Sequence, residues 1–241
     1  MHLLSERHLD TGVLEREFTL DDIPGVLWTA GSAPAPLVLL GHPGGLDRMY
    51  PRLAERARQT VAAGFAAAAL ELPGSGDRPR SVAAEAARAD LRRAVQTGVP
   101  VDDEIVDRLV LPLVDAAVPE HRAALDALLT LPEITGPVGI AGGVISIGVR
   151  LVRVEPRIAA ALLFAGSYVP RAVMAEARAL TIPLHVLLQW DDESNDRQTA
   201  LDLFDAFGST EKTLHANMGG HTGVPPYAGE AGIAFLARHL R

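Results

Sequence analysis

Near the N-terminus, hydrophobic positions alternate with polar ones. Leu14, Phe18 and Leu20 stand among Glu15, Glu17 and Thr19, which predicts an edge strand with one face in water. Gly25 to Thr29 reads as its hairpin partner. Further along, the alternation gives way to short apolar runs: Leu37 to Leu40, Ala67 to Leu72, Val138 to Ala141, Ala160 to Phe164 and Leu184 to Leu188. Strands covered on both faces by helices have this character. Amphipathic stretches fall between them. One follows Pro51, with Leu53, Ala57 and Val61 on a single stripe; others begin near Gly143, Pro170 and Asp196. The last carries Ile233, Leu236 and Leu240 at helical spacing. This succession predicts an α/β fold with a mostly parallel central sheet flanked by helices.

One interval breaks the rhythm. About sixty residues separate Leu72 from Val138, far more than a crossover needs. A helix is predicted after Asp102 or Asp103, with Ile105, Leu109 and Leu113 on one face and a kink at Pro112. A second is predicted from Glu120 to Leu129. Residues 78–133 are read as a helical cap over the C-terminal edge of the sheet; the alternative is a peripheral extension that completes the core. No repeat, low-complexity tract or linker interrupts the chain, so residues 1–241 are expected to form one domain.

Composition narrows the chemistry. Of the 241 residues, 48% are hydrophobic and 22% charged, the balance of an ordinary globular domain. There is no cysteine, which rules out disulfides and thiolate metal sites. A net charge of -8 without a basic block would repel nucleic acid and anionic membranes. No apolar run reaches the roughly 18 residues of a membrane helix. The opening Met1 to Arg7 turns charged within a few residues, unlike a secretory signal. A cytoplasmic protein with a small-molecule partner is expected.

Three segments that follow predicted strands carry candidate chemistry, where open α/β sheets bind ligands. Gly139-Ile-Ala-Gly-Gly143 has the outer glycines of a G-x-S-x-G nucleophile elbow, with Ala141 in the middle. Ser146 lacks a glycine two residues before it and would lie a turn into the following helix, bonded to a backbone carbonyl. Leu187-Leu-Gln-Trp-Asp-Asp-Glu193 offers a carboxylate to orient a histidine, and Asp192 is favoured over Asp191. His215-Ala-Asn-Met-Gly-Gly-His221 places His221 on a glycine-rich loop, where a general base can reach a cleft. His215 sits in a strand-like run, and with His221 it lacks the co-ligands a metal site needs. After Leu40 comes Gly41-His-Pro-Gly-Gly-Leu46; the amide of Gly44, or of Gly45, would join that of Gly142 as an oxyanion hole. Elbow, acid, histidine is also the chain order of one hydrolase class.

With Pro73-Gly-Ser-Gly-Asp77 and Glu155-Pro-Arg-Ile, these motifs make the chain from Pro36 onward resemble the α/β-hydrolase superfamily. In particular it resembles bacterial proteins similar to dienelactone hydrolases and small carboxylesterases. The resemblance implies a serine hydrolase of carboxylic esters, lactones or thioesters that needs no cofactor. His221 would take the nucleophile's proton, Asp192 would orient His221, and Gly44 and Gly142 would hold the oxyanion, with Gly45 and Leu46 against the substrate. In that family the position of Ala141 carries the nucleophile. Alanine has no attacking atom, so the chain is expected to be almost inert. Two accounts fit: an engineered variant with its serine replaced, or a natural pseudohydrolase that binds a small molecule or partner. A lyase or cyclase on the same fold is a third. The expected partner is a small hydrophobic ester-like substrate, and a homodimer is compatible with the sequence.

Overall fold

In the computed structural model all residues are described except Asp10, Thr11, Ser32 and Ser167. Among the described residues nine strands form one sheet: β1 (His2–His8), β2 (Leu14–Leu20), β3 (Ile23–Thr29), β4 (Ala35–Gly41), β5 (Ala66–Leu70), β6 (Ile134–Gly142), β7 (Ile158–Phe164), β8 (Leu184–Gln189) and β9 (Lys212–Asn217). Their spatial order is β1-β2-β3-β5-β4-β6-β7-β8-β9. Pairing is antiparallel from β1 through β3 to β5 and parallel from β5 to β9.

The apolar runs alternate between two cores. Leu37 and Leu39 pack on one side of β4, and Val38 and Leu40 on the other. The first side is covered by α3 (Asp103–Leu128), α4 (Ile145–Val154), α5 (Arg171–Ala177) and α6 (Arg197–Ala206). The second is covered by α1 (Leu46–Ala62) and α7 (Pro226–His239). Both faces of β4, β5 and β8 are therefore covered, which is why their sequences do not alternate.

Three expectations change. Phe18 and its neighbours are not on an edge strand, because β1 pairs outside β2. Every residue of β1 is exposed, so it carries no burial pattern to read. The two helices expected between Asp102 and Leu129 are a single helix, α3, which runs through Pro112 and Pro119. Its stripe Val106, Val110, Val114, Ala117, His121, Ala124 and Leu128 stays buried throughout, and packing along that stripe outweighs the amide donors lost at the prolines. This stripe belongs to the main core, so α3 is a layer of the domain. α2 (Val82–Thr97) lies against α3 and buries only Ala87.

Three histidines, His42, His121 and His185, are buried polar residues. Burial lowers the pKa of each, so the fold holds them neutral. The unfolded chain takes up these protons first as pH falls below about 6.5, the ordinary histidine value. Their contribution to stability is thus complete above that value and is lost with acidification. Glu155 acts in a different window: hydrogen bonds from Arg157 outweigh its burial and hold its pKa at about 2. Its contribution is present above the ordinary 4.5 and is lost only toward about 2. Thermal melts should therefore show stability falling as pH drops from about 6.5 toward about 5. His185→Phe should flatten that slope, and an identical slope in the variant would contradict the assignment.

Candidate functional site

The turn from β6 into α4 lies at the C-terminal edge of the sheet. From Gly139 onward β6 keeps register with both neighbours, pairing Leu40 with Ala141, Gly41 with Gly142, and Ala141 with Leu162. The chain turns at Gly142 and Gly143, with φ of 70° and 86°. A side chain on Gly143 would begin 2.7 Å from Gly41 Cα and 3.0 Å from the His42 nitrogen. Val144 then caps α4 without a side-chain bond. The first amides of the helix, those of Ile145 and Ser146, have no acceptor within it.

This geometry shifts the elbow. Ala141 is not at the tip of the bend; it is a strand residue, 5% exposed, packed in the core shared with α1 and α7. Gly139 serves packing, since a Cβ there would lie 2.7 Å from Leu240 and 3.2 Å from Leu236 on the α7 side. The tip is Val144, with Gly142 two residues before it and Ser146 two after. Gly142 precedes the tip, so the amide that follows the tip is that of Ile145 rather than Gly142. Ser146 is fully buried, and its hydroxyl has no partner among the described residues. The backbone-bonded role expected for it is absent.

The loop after β4 is fixed from the side. Glu71, buried at the end of β5, accepts from the Leu46 amide at 2.9 Å and from its neighbour Leu72 at 3.1 Å. The Leu46 side chain is buried as well. Neither its amide nor its side chain is therefore free for a substrate, contrary to the sequence expectation. Gly45 caps α1, and Gly44 lies beside the Arg48 guanidinium. Beneath the turn is a small space lined by His42, Leu72, His121, Gly143, Val144 and Ile147. His42 Nε2 faces the Leu70 carbonyl at 2.7 Å, and His121 Nδ1 faces that of Ala117 at 2.7 Å. A carbonyl only accepts, so these nitrogens carry the protons.

Asp192 follows β8 and His221 follows β9, and the structure brings them together. His221 Nδ1 donates to Asp192 Oδ2 at 2.8 Å. Asp191, by contrast, is exposed. Burial opposes charge on Asp192, but bonds from Asn195, His221 and the Ser194 amide outweigh it and hold its pKa below the ordinary carboxylate value. With Nδ1 committed to the carboxylate, Nε2 of His221 is left as a proton acceptor. Its side chain is 45% exposed, so a ligand can reach it. The Phe164 ring lies edge-on to the imidazole at 5.9 Å. Asn195 was not anticipated; its Nδ2 donates to Asp192 Oδ2 at 2.7 Å. Gly166 links the pair to the turn, since a Cβ there would lie 3.7 Å from both Asn195 Oδ1 and Ile145 Cγ2. His215 is held in β9, stacked on Tyr227. Among the described residues no cluster of three or more metal-ligating side chains occurs, and no helix is long and apolar enough to cross a membrane.

No family model and no curated protein matches the chain. Solved structures do. The polyethylene-glycol-bound form of a cold-adapted esterase from an Arctic intertidal metagenomic library is 28% identical, covers 100% of both chains and superposes with a TM-score of 0.80. The chain has the α/β-hydrolase fold. A Thermus thermophilus protein is 20% identical over 94% of this chain and 97% of its own, with a TM-score of 0.63. A Pyrococcus furiosus esterase is 12% identical over 94% and 92%, with a TM-score of 0.67. At such identities the last two speak for the fold alone.

The α/β-hydrolase turn is tight enough to predict its sensitivity. Gly143→Ala places a Cβ against the backbone of Gly41 and imposes a positive φ on alanine. The cost should be about 3 kcal/mol or more, read from urea unfolding. A loss below about 1 kcal/mol would mean that the two loops separate easily.

Proposed function

We propose that this protein is an esterase-type α/β-hydrolase that binds a small, hydrophobic ester-like molecule between the Val144 turn and His221. As the sequence stands, it turns that molecule over very poorly. The observation that carries the reading is the Asp192–His221 pair at 2.8 Å, on the loops after the last two strands, with Gly166 packed between Asn195 and Ile145 of a turn without a nucleophile. The 28% identical esterase supports the substrate class. His221 Nε2 is oriented to accept a proton from an attacking hydroxyl, and the carboxylate would stabilise the imidazolium that results. The α4 amides of Ile145 and Ser146 are suited to the oxyanion of a tetrahedral intermediate. The missing part is the attacking hydroxyl. Val144 supplies only methyl groups, and removing such a nucleophile costs about a millionfold in turnover where this has been measured.

The test is p-nitrophenyl acetate and butyrate hydrolysis by the unaltered chain, Val144→Ser and Ala141→Ser. Val144→Ser should gain about 100-fold or more over the unaltered chain, a small part of the span a nucleophile commands. Ala141→Ser should gain nothing, because its hydroxyl would be buried on the α1 side. His221→Ala should abolish the gain. Without any gain at residue 144 across acyl lengths, while the folded chain still binds ester analogues, the protein would be a binding module instead.

A further inference from the structure

Arg56 on α1 is a buried cation that the proposed chemistry does not use. Its Nη1 donates to the Gly41 carbonyl at 2.9 Å and its Nη2 to the Ala141 carbonyl at 2.6 Å. Those carbonyls belong to the last residue of β4 and the penultimate residue of β6, where the sheet gives way to the 42–45 loop and the Val144 turn. The guanidinium lies close under the turn: a Cβ on Gly142 would begin 3.0 Å from Nη2. Burial, with Arg52 adding repulsion, lowers its pKa to about 10, so it still carries its charge at neutral pH. Among the described residues no carboxylate forms an ion pair with it.

A buried cation held by two carbonyls alone is a costly arrangement. Elsewhere in this chain buried or half-buried arginines face carboxylates, as Arg78 faces Glu120 and Arg150 faces Glu176. The planar fork has one feature those pairs do not exploit: its two terminal nitrogens are a fixed distance apart. Bonding one to each strand end therefore fixes the separation of the two carbonyls. We propose that Arg56 is a positioning residue, whose fork sets the spacing between the 42–45 loop and the Val144 turn. This spacing sets how the 42–45 loop, with the Gly44 amide expected as an oxyanion donor, faces the Val144 turn and its Ile145 amide. The inference rests on the esterase reading for its catalytic consequence, though not for its structural one.

Lysine can reach the same region but lacks the planar fork, and methionine leaves both carbonyls unbonded. The control is Arg157→Met, which removes the Glu155 and Asp126 pairs at the opposite end of the strands. In a Val144→Ser background, Arg56→Met should lower kcat by about 100-fold with KM within about twofold, as expected for a small misplacement of reacting groups. Arg56→Lys should restore only part of that. Arg157→Met should leave kcat unchanged even where it lowers Tm as much. Independently of activity, hydrogen exchange in the native-144 chain should quicken at residues 41–46 and 140–146 in Arg56→Met and remain unchanged there in Arg157→Met. If Val144→Ser proves inactive, the esterase reading fails and the exchange result alone decides. Unchanged protection at both segments, or a kcat loss equal in the control, would overturn the role given to Arg56.

Discussion

The site depends on how closely two strand ends approach. Gly41 and Gly143 meet backbone to backbone, and neither position has room for a first side-chain carbon. The register that brings them together is set deeper in the sheet, where Leu37 pairs with Val138 and Leu39 with Ile140. Those pairs are locked by cores on both faces, so a slip of one residue would move each side chain into the wrong layer. Burial in the middle of the sheet thus dictates a close backbone approach at its rim. The loops at that rim are short because β4 and β6 hand over to α1 and α4 within a few residues.

On the far side of the rim, polar bonds perform the equivalent task. Asp192 accepts from the Ser194 amide at 2.8 Å, from Asn195 and from His221, so its two oxygens are fixed by three donors. A carboxylate held in this way cannot follow a moving imidazole; the imidazole must come to it. The two halves of the site therefore obey different rules. One is fixed by the absence of side chains and the other by saturation of a single side chain.

Much of this was legible in the residues. Strands β4 to β8 announce themselves because double-sided burial leaves them mostly apolar, with His185 and Gln189 of β8 the buried polar exceptions. Asp192 and His221 were legible because each stands just past a strand, on a turn rich in polar or glycine residues. The elbow's frame was not. Gly139, Gly142 and Gly143 allow two readings of the same motif, and only the length of β6 separates them. Gly139 proves to accommodate Leu236 and Leu240, a demand made by residues nearly a hundred positions away. β1 was illegible for the opposite reason: with both faces wet, its side chains answer to no period. The helical interval misled through its prolines, whose local cost is overridden by a buried stripe running from Val106 to Leu128.

The outermost strand has its own consequence. β1 touches the sheet through one ladder only, and Leu3 and Leu4 stand 49% and 57% exposed. Little apolar area is released when it detaches, while β2 behind it remains paired to β3 and anchored in the core through Phe18. The sheet therefore ends in a strand held by its ladder and by Arg7, whose bonds to buried Glu15 and to Tyr50 are what its fraying would cost, a loose hem on an otherwise tightly woven cloth.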